Sequence, residues 1–183
     1  MTPISPQEVL EFWYSESSKN LWFTSTNEFD LLIKSKYEEL WESAAAGELD
    51  DWRNDAESSL ALIIVLDQFP LNMFRGTAKS FATESDAIRV THHAIAKNFD
   101  QQLPNSMLSF FYMPLMHSEN LEDQELSVQF YQRAQLESNL RFAKHHRDII
   151  KKFGRFPHRN SILGRTSTKA EIDYLSSTEA FKG

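Results

Sequence analysis

The sequence predicts an all-α protein. Three observations carry that expectation: apolar residues recur at helical spacing, no stretch alternates at period two over the length of a strand, and Gly and Pro are scarce. The chain has only 5 Gly and 6 Pro in 183 residues, too few for a turn-dense β-sandwich. The length suits one domain spanning residues 1–183, and 41% hydrophobic content is enough for a real core. With 14 Phe, 5 Tyr and 4 Trp, that core is expected to be aromatic.

Ser5-Pro6-Gln7-Glu8 reads as a capping box with proline at the first helical position. The helix it starts should bury Val9, Leu10, Phe12 and Trp13. Thr26 caps a second, longer helix. Its apolar content is Phe29, Leu32, Ile33, Tyr37, Leu40, Trp41 and Ala44, and Gly47 stops it. Asp55 starts a third through ESSLALIIVLDQF, apolar all round towards its end and so expected to be central. Pro70 is expected to end it, with a turn-like piece from Asn72 to Gly76. Thr83-Glu84-Ser85-Asp86 resembles a capping box and starts a helix with Ala87, Ile88, Val90, Ala94, Ile95 and Phe99 on one face. Met107–Met116 is a further apolar helix disturbed by Pro114. Asn120 caps the next, which carries Leu121, Val128 and Tyr131. From Leu136 to Phe153, Phe142, Ala143, His146, Ile149, Ile150 and Phe153 share a face, and Gly154 terminates the helix. Thr168-Lys169-Ala170-Glu171 is a capping box for a last short helix. The expectation is about seven to nine helices joined by short loops. Such helices could stack as antiparallel pairs, although no self-similarity at a period of 34 marks a repeat.

Composition excludes several classes. Without cysteine there is no disulfide, thiol catalysis or thiolate zinc site. The N-terminal residues lack the pattern of a signal or transit peptide, and the apolar run Leu60–Leu66 is too short to span a bilayer, so a cytoplasmic protein is expected, with no membrane partner. A net charge of −7 makes nucleic acid an unlikely partner. The charge is uneven, however. Residues 141–165 hold eight basic side chains against Asp148 alone, a local +7, which leaves −14 for the rest.

Four segments mix polar and aromatic residues beyond what capping requires: 66–76, 111–124, 145–148 and 153–160. A polar group in an apolar setting is costly unless paired, so these segments pair with one another or with something bound. Asp67 reads either as an acid at the mouth of a pocket or as the receiver of an internal arginine. Arg75 is either a clamp for a carboxylate or phosphate, or Asp67's partner. His117 with Glu119 suits acid–base chemistry or metal ligation. A metal site would have to be assembled from distant residues such as His117, Glu119, His146 and His158, no HExxH-type signature is present, and no metal is assigned. His146, on an apolar face, is read first as a hydrogen-bonded core residue. In FGRFPHRN, Arg155 is explained by the preceding helix C-terminus. His158, Arg159, Asn160 and the nearby Arg165 are not. They form either a rigid anion site or an internal salt-bridge lattice closed by Asp67, Glu119 or Asp123. The candidate ligand-binding set is therefore Asp67, Arg75, His117, Glu119, His146, Arg155, His158, Arg159 and Asn160. No catalytic residue, reaction or cofactor is assigned. The partners expected are a small anionic ligand or a peptide, with a homodimer allowed by the aromatic content.

The segments WF (22–23), GELDDW (47–52), LALIIVLDQFP (60–70), NMFRGTAKSFAT (72–83), FFYMPLMHSENLEDQ (110–124) and HRDIIKKFGRFPHRNSILGR (146–165) resemble, in order, those of the bacterial domain-of-unknown-function family nine hundred and twenty-four. That resemblance implies a tetratricopeptide-like α–α superhelix and no established activity. It carries the family's polar motif residues onto Asp67, Gln68, Asn72, Arg75, His117, Glu119, Gln124, His146, Arg147, Asp148, Arg155, His158, Arg159, Asn160 and Arg165. The chain departs from the family pattern at Leu71, where an arginine is usual, and at Glu84, where an aspartate is common.

Overall fold

Six of the described helices begin where a short polar side chain takes up a free backbone amide. The computed structural model describes residues 4–181, and among them there is no β-strand. Helix α1 (Pro6–Trp13) has the full Ser5/Glu8 capping box. It is followed by the single turn α2 (Glu16–Lys19), and then by α3 (Asn27–Ala45), whose cap Thr26 accepts from the Phe29 amide. α3 ends as expected at Gly47, in the left-handed region at φ 79°. The Gly47 and Glu48 amides donate to Ala44 and Ser43, the paired bonds of a Schellman motif. Its buried stripe is narrower than the sequence suggests. Phe29, Ile33, Tyr37, Trp41 and Ala44 are buried, whereas Leu32 is 49% exposed. One file of residues suffices because four of its five members, Phe29, Ile33, Tyr37 and Trp41, are large.

Asp55 caps α4 (Ala56–Ile63), accepting from the Ser58 amide. The chain then departs from expectation. Pro70 does not end the helix: a π-helical turn, Ile64–Gln68, leads directly into α5 (Phe69–Met73), with Pro70 in its first turn. Proline has no amide for the carbonyl four residues before it, which belongs to Leu66. The Thr83 hydroxyl fills that vacancy, donating to the Leu66 carbonyl at 2.6 Å, and it accepts in turn from the Trp41 indole at 3.0 Å. Thr83 consequently does not cap α6 (Glu84–Ala96) with its side chain. The expected capping box is absent because its hydroxyl is committed elsewhere.

Pro114 divides the next apolar run into α7 (Leu108–Phe111) and α8 (Met113–His117). Asn120 caps α9 (Leu121–Arg133). α9 packs along α10 (Glu137–Phe153) through a tight connection in which Gln135 adopts φ 55°. The Leu136 and Gln135 amides donate to Tyr131 and Gln132, a Schellman turn made without glycine and so one that costs backbone strain. α10 buries Leu140, Ala143, His146, Ile149 and Ile150, but Phe142 is 44% exposed. Gly154 follows it at φ 70°. The Thr168/Glu171 capping box opens α11 (Lys169–Leu175).

The chain divides into two compact units: Met1–Arg75 with Lys79–Pro114, and Gly76–Ala78 with Leu115–Gly183. In the first, α1 packs on α4, α3 on α5 and α4 on α6. Its aromatic centre has Trp13 5.8 Å from Phe69 and 5.3 Å from Phe110, and Tyr37 4.6 Å from Phe69. The second contains an apolar cluster of Ile149, Ile150 and Phe156, covered by Phe153, Tyr174 and Phe181. No helix among the described residues is long and apolar enough to cross a membrane.

The Thr83 hydroxyl gives a direct test. Thr83→Val should lower stability to chemical denaturation by about 1–3 kcal/mol, the cost of a buried polar group left unmet, while Thr83→Ser should retain most of it. An undiminished stability in Thr83→Val, with the loss confined to Thr83→Ser, would assign the effect to the methyl group's packing instead.

Candidate functional site

The motif residues fall in both units. Asp67 and Arg75 lie in the first, each with partners there. Asp67, 4% exposed, accepts from the Gln68 side-chain amide, which also reaches the Met113 sulfur at 3.4 Å. The Asn72 amide donates to the Gln68 carbonyl. The Arg75 fork is occupied by Asp30, with Nε to Oδ2 at 2.7 Å and Nη2 to Oδ1 at 3.1 Å. Asp30 stands 45 residues away in sequence, and nothing local marks it as this partner.

The second unit contains the other seven candidates, together with two residues outside the candidate set, Arg165 and Glu171. Glu119, between α8 and α9, is the hub. Its carboxylate receives Arg165 Nη1 at 2.6 Å and Nη2 at 2.9 Å, and also the Phe156 amide at 2.8 Å. Burial pulls its pKa up. The Arg165 hydrogen bonds, the Phe156 amide and the charges of Arg165 and Arg159 outweigh that effect and leave it below the ordinary value. Arg165 is used on every side, because its Nε donates to Asn160 Oδ1 at 2.9 Å and Nη2 also reaches the Phe156 carbonyl at 3.2 Å. Asn160 is fully buried and passes its own amide to the Ser167 hydroxyl.

Arg155 makes the second fork. Its Nε and Nη2 donate to Glu171 at 2.7 and 2.9 Å, and Nη2 also donates to the Thr166 carbonyl. Glu171 is only 2% exposed. The Arg155 hydrogen bond first, and then the Thr168 amide against the opposing pull of burial, bring its pKa down to about 2. Its capping-box role was legible in the sequence. Its second role, holding Arg155, was not. Arg159, 6% exposed, donates from Nη2 to the His117 carbonyl at 2.9 Å and lies 4.6 Å over the Phe156 ring.

His146 and His158 are held neutral. His146 Nδ1 is 2.8 Å from the Phe142 carbonyl. A carbonyl only accepts, so Nδ1 carries the proton and Nε2 is bare. Burial, opposed by that hydrogen bond and aided by His117, His145 and His158, brings the His146 pKa down to about 3. Burial and then the Arg159 charge lower His158 to about 4. His158 Nδ1 is buried with no hydrogen-bond partner among the described residues. No group of three or more His, Asp or Glu among the described residues stands close enough to hold a metal ion, so His117, Glu119, His146 and His158 do not converge as ligands. Two open hollows mark the unit's surface. One, of about 890 Å³, is lined by Glu119, Leu121, Glu122, Glu125, Leu126 and Gln129. The other, of about 560 Å³, lies beside Arg155, Glu171 and Lys152. The larger is acidic, and neither is lined by a histidine.

Residues 9–179 match the family described as "Bacterial protein of unknown function (DUF924)". The chain belongs to this family. A solved structure, that of the protein of unknown function ATU0120 from Agrobacterium tumefaciens, is 39% identical, with a TM-score of 0.88 over 93% of this chain and 96% of that one. No curated protein matches. Family membership therefore agrees with the resemblance read from the motifs, and the function of this DUF924 chain has to be argued from its site.

The pKa directions fix an order of events on acidification. The two histidines have folded values below the ordinary 6.5, so the stability tied to their neutral form is complete above pH 6.5 and is lost as the pH falls towards 4 and 3. Glu119 and Glu171, lowered from 4.5, lose theirs only below that pH. Denaturant unfolding across pH 7 to 5 should show stability falling by up to about 1.4 kcal/mol per pH unit for each histidine, and His146→Gln should flatten the slope. A flat profile in the unsubstituted protein would contradict the neutral assignment.

Proposed function

We propose that this DUF924 protein is a helical binding scaffold for a protein or peptide, and that its most polar motif, residues 153–165, is the frame of the second unit and not an anion receptor. One observation carries this reading: Arg155 and Arg165 both place their forked guanidinium groups on internal carboxylates, Glu171 and Glu119. Bidentate pairs of this kind satisfy the geometry that a phosphate or carboxylate ligand would need. The acidic lining of the larger hollow also disfavours an anion. A rigid, exposed aromatic supports surface recognition. Phe23 is 74% exposed, yet its ring stacks on Phe110 at 6.2 Å and sits 6.5 Å from Trp22.

A second reading rests on a separate observation. The buried, unpartnered His158 Nδ1, beside Arg159, would suit a small ligand that supplies the missing hydrogen bond. Native mass spectrometry, together with melting curves in inorganic phosphate, separates the two. The scaffold reading predicts the bare chain mass and no phosphate-dependent rise in melting temperature. A ligand at a hundred times its Kd would add about 2.7 kcal/mol, readily seen. An extra mass lost on denaturation, or a phosphate stabilisation abolished in a folded His158→Ala variant, would overturn the frame reading in favour of the ligand site.

A further inference from the structure

The second unit already holds an aromatic side chain in an imidazole-lined seat. Phe181 lies 4.4 Å from the His146 ring, 5.0 Å from His158 and 6.3 Å from His145, all edge-on or nearly so. The floor beneath is the apolar cluster of Ile149, Ile150 and Phe156, against which Phe181 packs. The Phe181 amide donates to the Tyr174 hydroxyl at 2.9 Å, so its backbone is held as well as its ring. Between α11 and this anchor, Ser176, Ser177, Thr178 and Glu179 are all exposed.

We propose that the surface formed by His145, His146, His158 and Phe156 is a receptor for an aromatic side chain on a peptide, and that residues 176–181 are its built-in occupant. The proposal deepens the scaffold reading by naming a site and a partner class. It rests on the seat around Phe181, not on the arginine pairs.

The chemistry fits a phenyl guest. The His146 Nδ1 proton is already spent on the Phe142 carbonyl, and a ring edge needs no further hydrogen bond. The Tyr174 hydroxyl supplies an acceptor for a main-chain amide beside the aromatic seat, a combination that favours a peptide over a free hydrocarbon. The occupant is weakly tethered. One anchored ring and one backbone hydrogen bond are set against the ordering of four exposed residues, which puts the segment at the low-stability end of the fold. A competing peptide that offers an aromatic residue in the same setting therefore displaces it.

The test uses the full-length chain carrying Phe181→Ala, with Phe181→Leu as a companion that keeps an apolar anchor should the alanine variant not fold. The probe is a synthetic peptide of residues 176–183, and the readout is the imidazole proton resonances. Phe181→Ala should move the His146 and His158 signals and leave those of His92 and His93, in the first unit, in place. The peptide should then bind saturably and return the His146 and His158 signals towards their original positions. The unsubstituted chain should bind it about tenfold or more weakly, because its own segment competes at high effective concentration. The same peptide with alanine in place of its phenylalanine should not bind. Unmoved histidine signals, equal binding to both proteins, or no binding to either variant would each overturn the proposal. If only the loss of binding were found while the protein still failed to retain phosphate, the receptor would be lost and the frame reading kept.

Discussion

One carboxylate organises the second unit. Glu119 receives both terminal nitrogens of Arg165 and the backbone amide of Phe156, so three donors from the loop after α10 converge on the turn before α9. Because Arg165 also spans Asn160 and the Phe156 carbonyl, the ends of segment 156–165 are closed onto each other. Phe156 is thereby placed on Ile149 and Ile150, and the histidine seat takes its shape from Phe156. Glu171 repeats the device, capping α11 while gripping Arg155. A loop that would otherwise have to be stabilised by burial alone is held by charge-assisted hydrogen bonds in a partly desolvated setting, where such bonds are stronger than at an open surface.

The first unit solves a different problem. Its most apolar segment must run on past a proline, and the π-helical turn with the Thr83 hydroxyl on the Leu66 carbonyl is how it does so. Asp67 and Gln68 are carried into the interior by that turn, where they meet each other. Arg75 finds Asp30 on α3, which links the end of α5 to the helix it packs against.

The helices were legible in the sequence because their starts are local events. Ser5, Thr26, Asp55, Asn120 and Thr168 act on amides two or three residues away, and all five cap as read. Failures arose where a distant group intervened. Thr83 looks like a cap until Leu66 competes for its hydroxyl, and Pro70 looks like a stop until that same bond compensates for it. Gln135 at φ 55° carries no glycine signal. Apolar spacing alone could not show that Leu32 and Phe142 face outward or that Leu121 is 40% exposed, since burial depends on the neighbouring helix as well as on the helix itself. For the site, residue types and segments were readable but pairings were not. Arg75 with Asp30 and Arg165 with Glu119 are separated by 45 and 46 residues, and no local rule reaches that far. Glu171 was hidden behind a cap that it also provides.

The central claim is that Arg155 and Arg165 of this motif are structural because internal carboxylates already occupy them. A double-mutant cycle on Glu119→Ala and Arg165→Ala, read by urea denaturation, tests it most directly. The account predicts strongly non-additive losses, with a coupling of about 1–3 kcal/mol and the double variant little worse than either single one. Additive losses, or an Arg165→Ala variant as stable as the unsubstituted protein, would contradict it and return the motif to the role of a receptor awaiting its ligand.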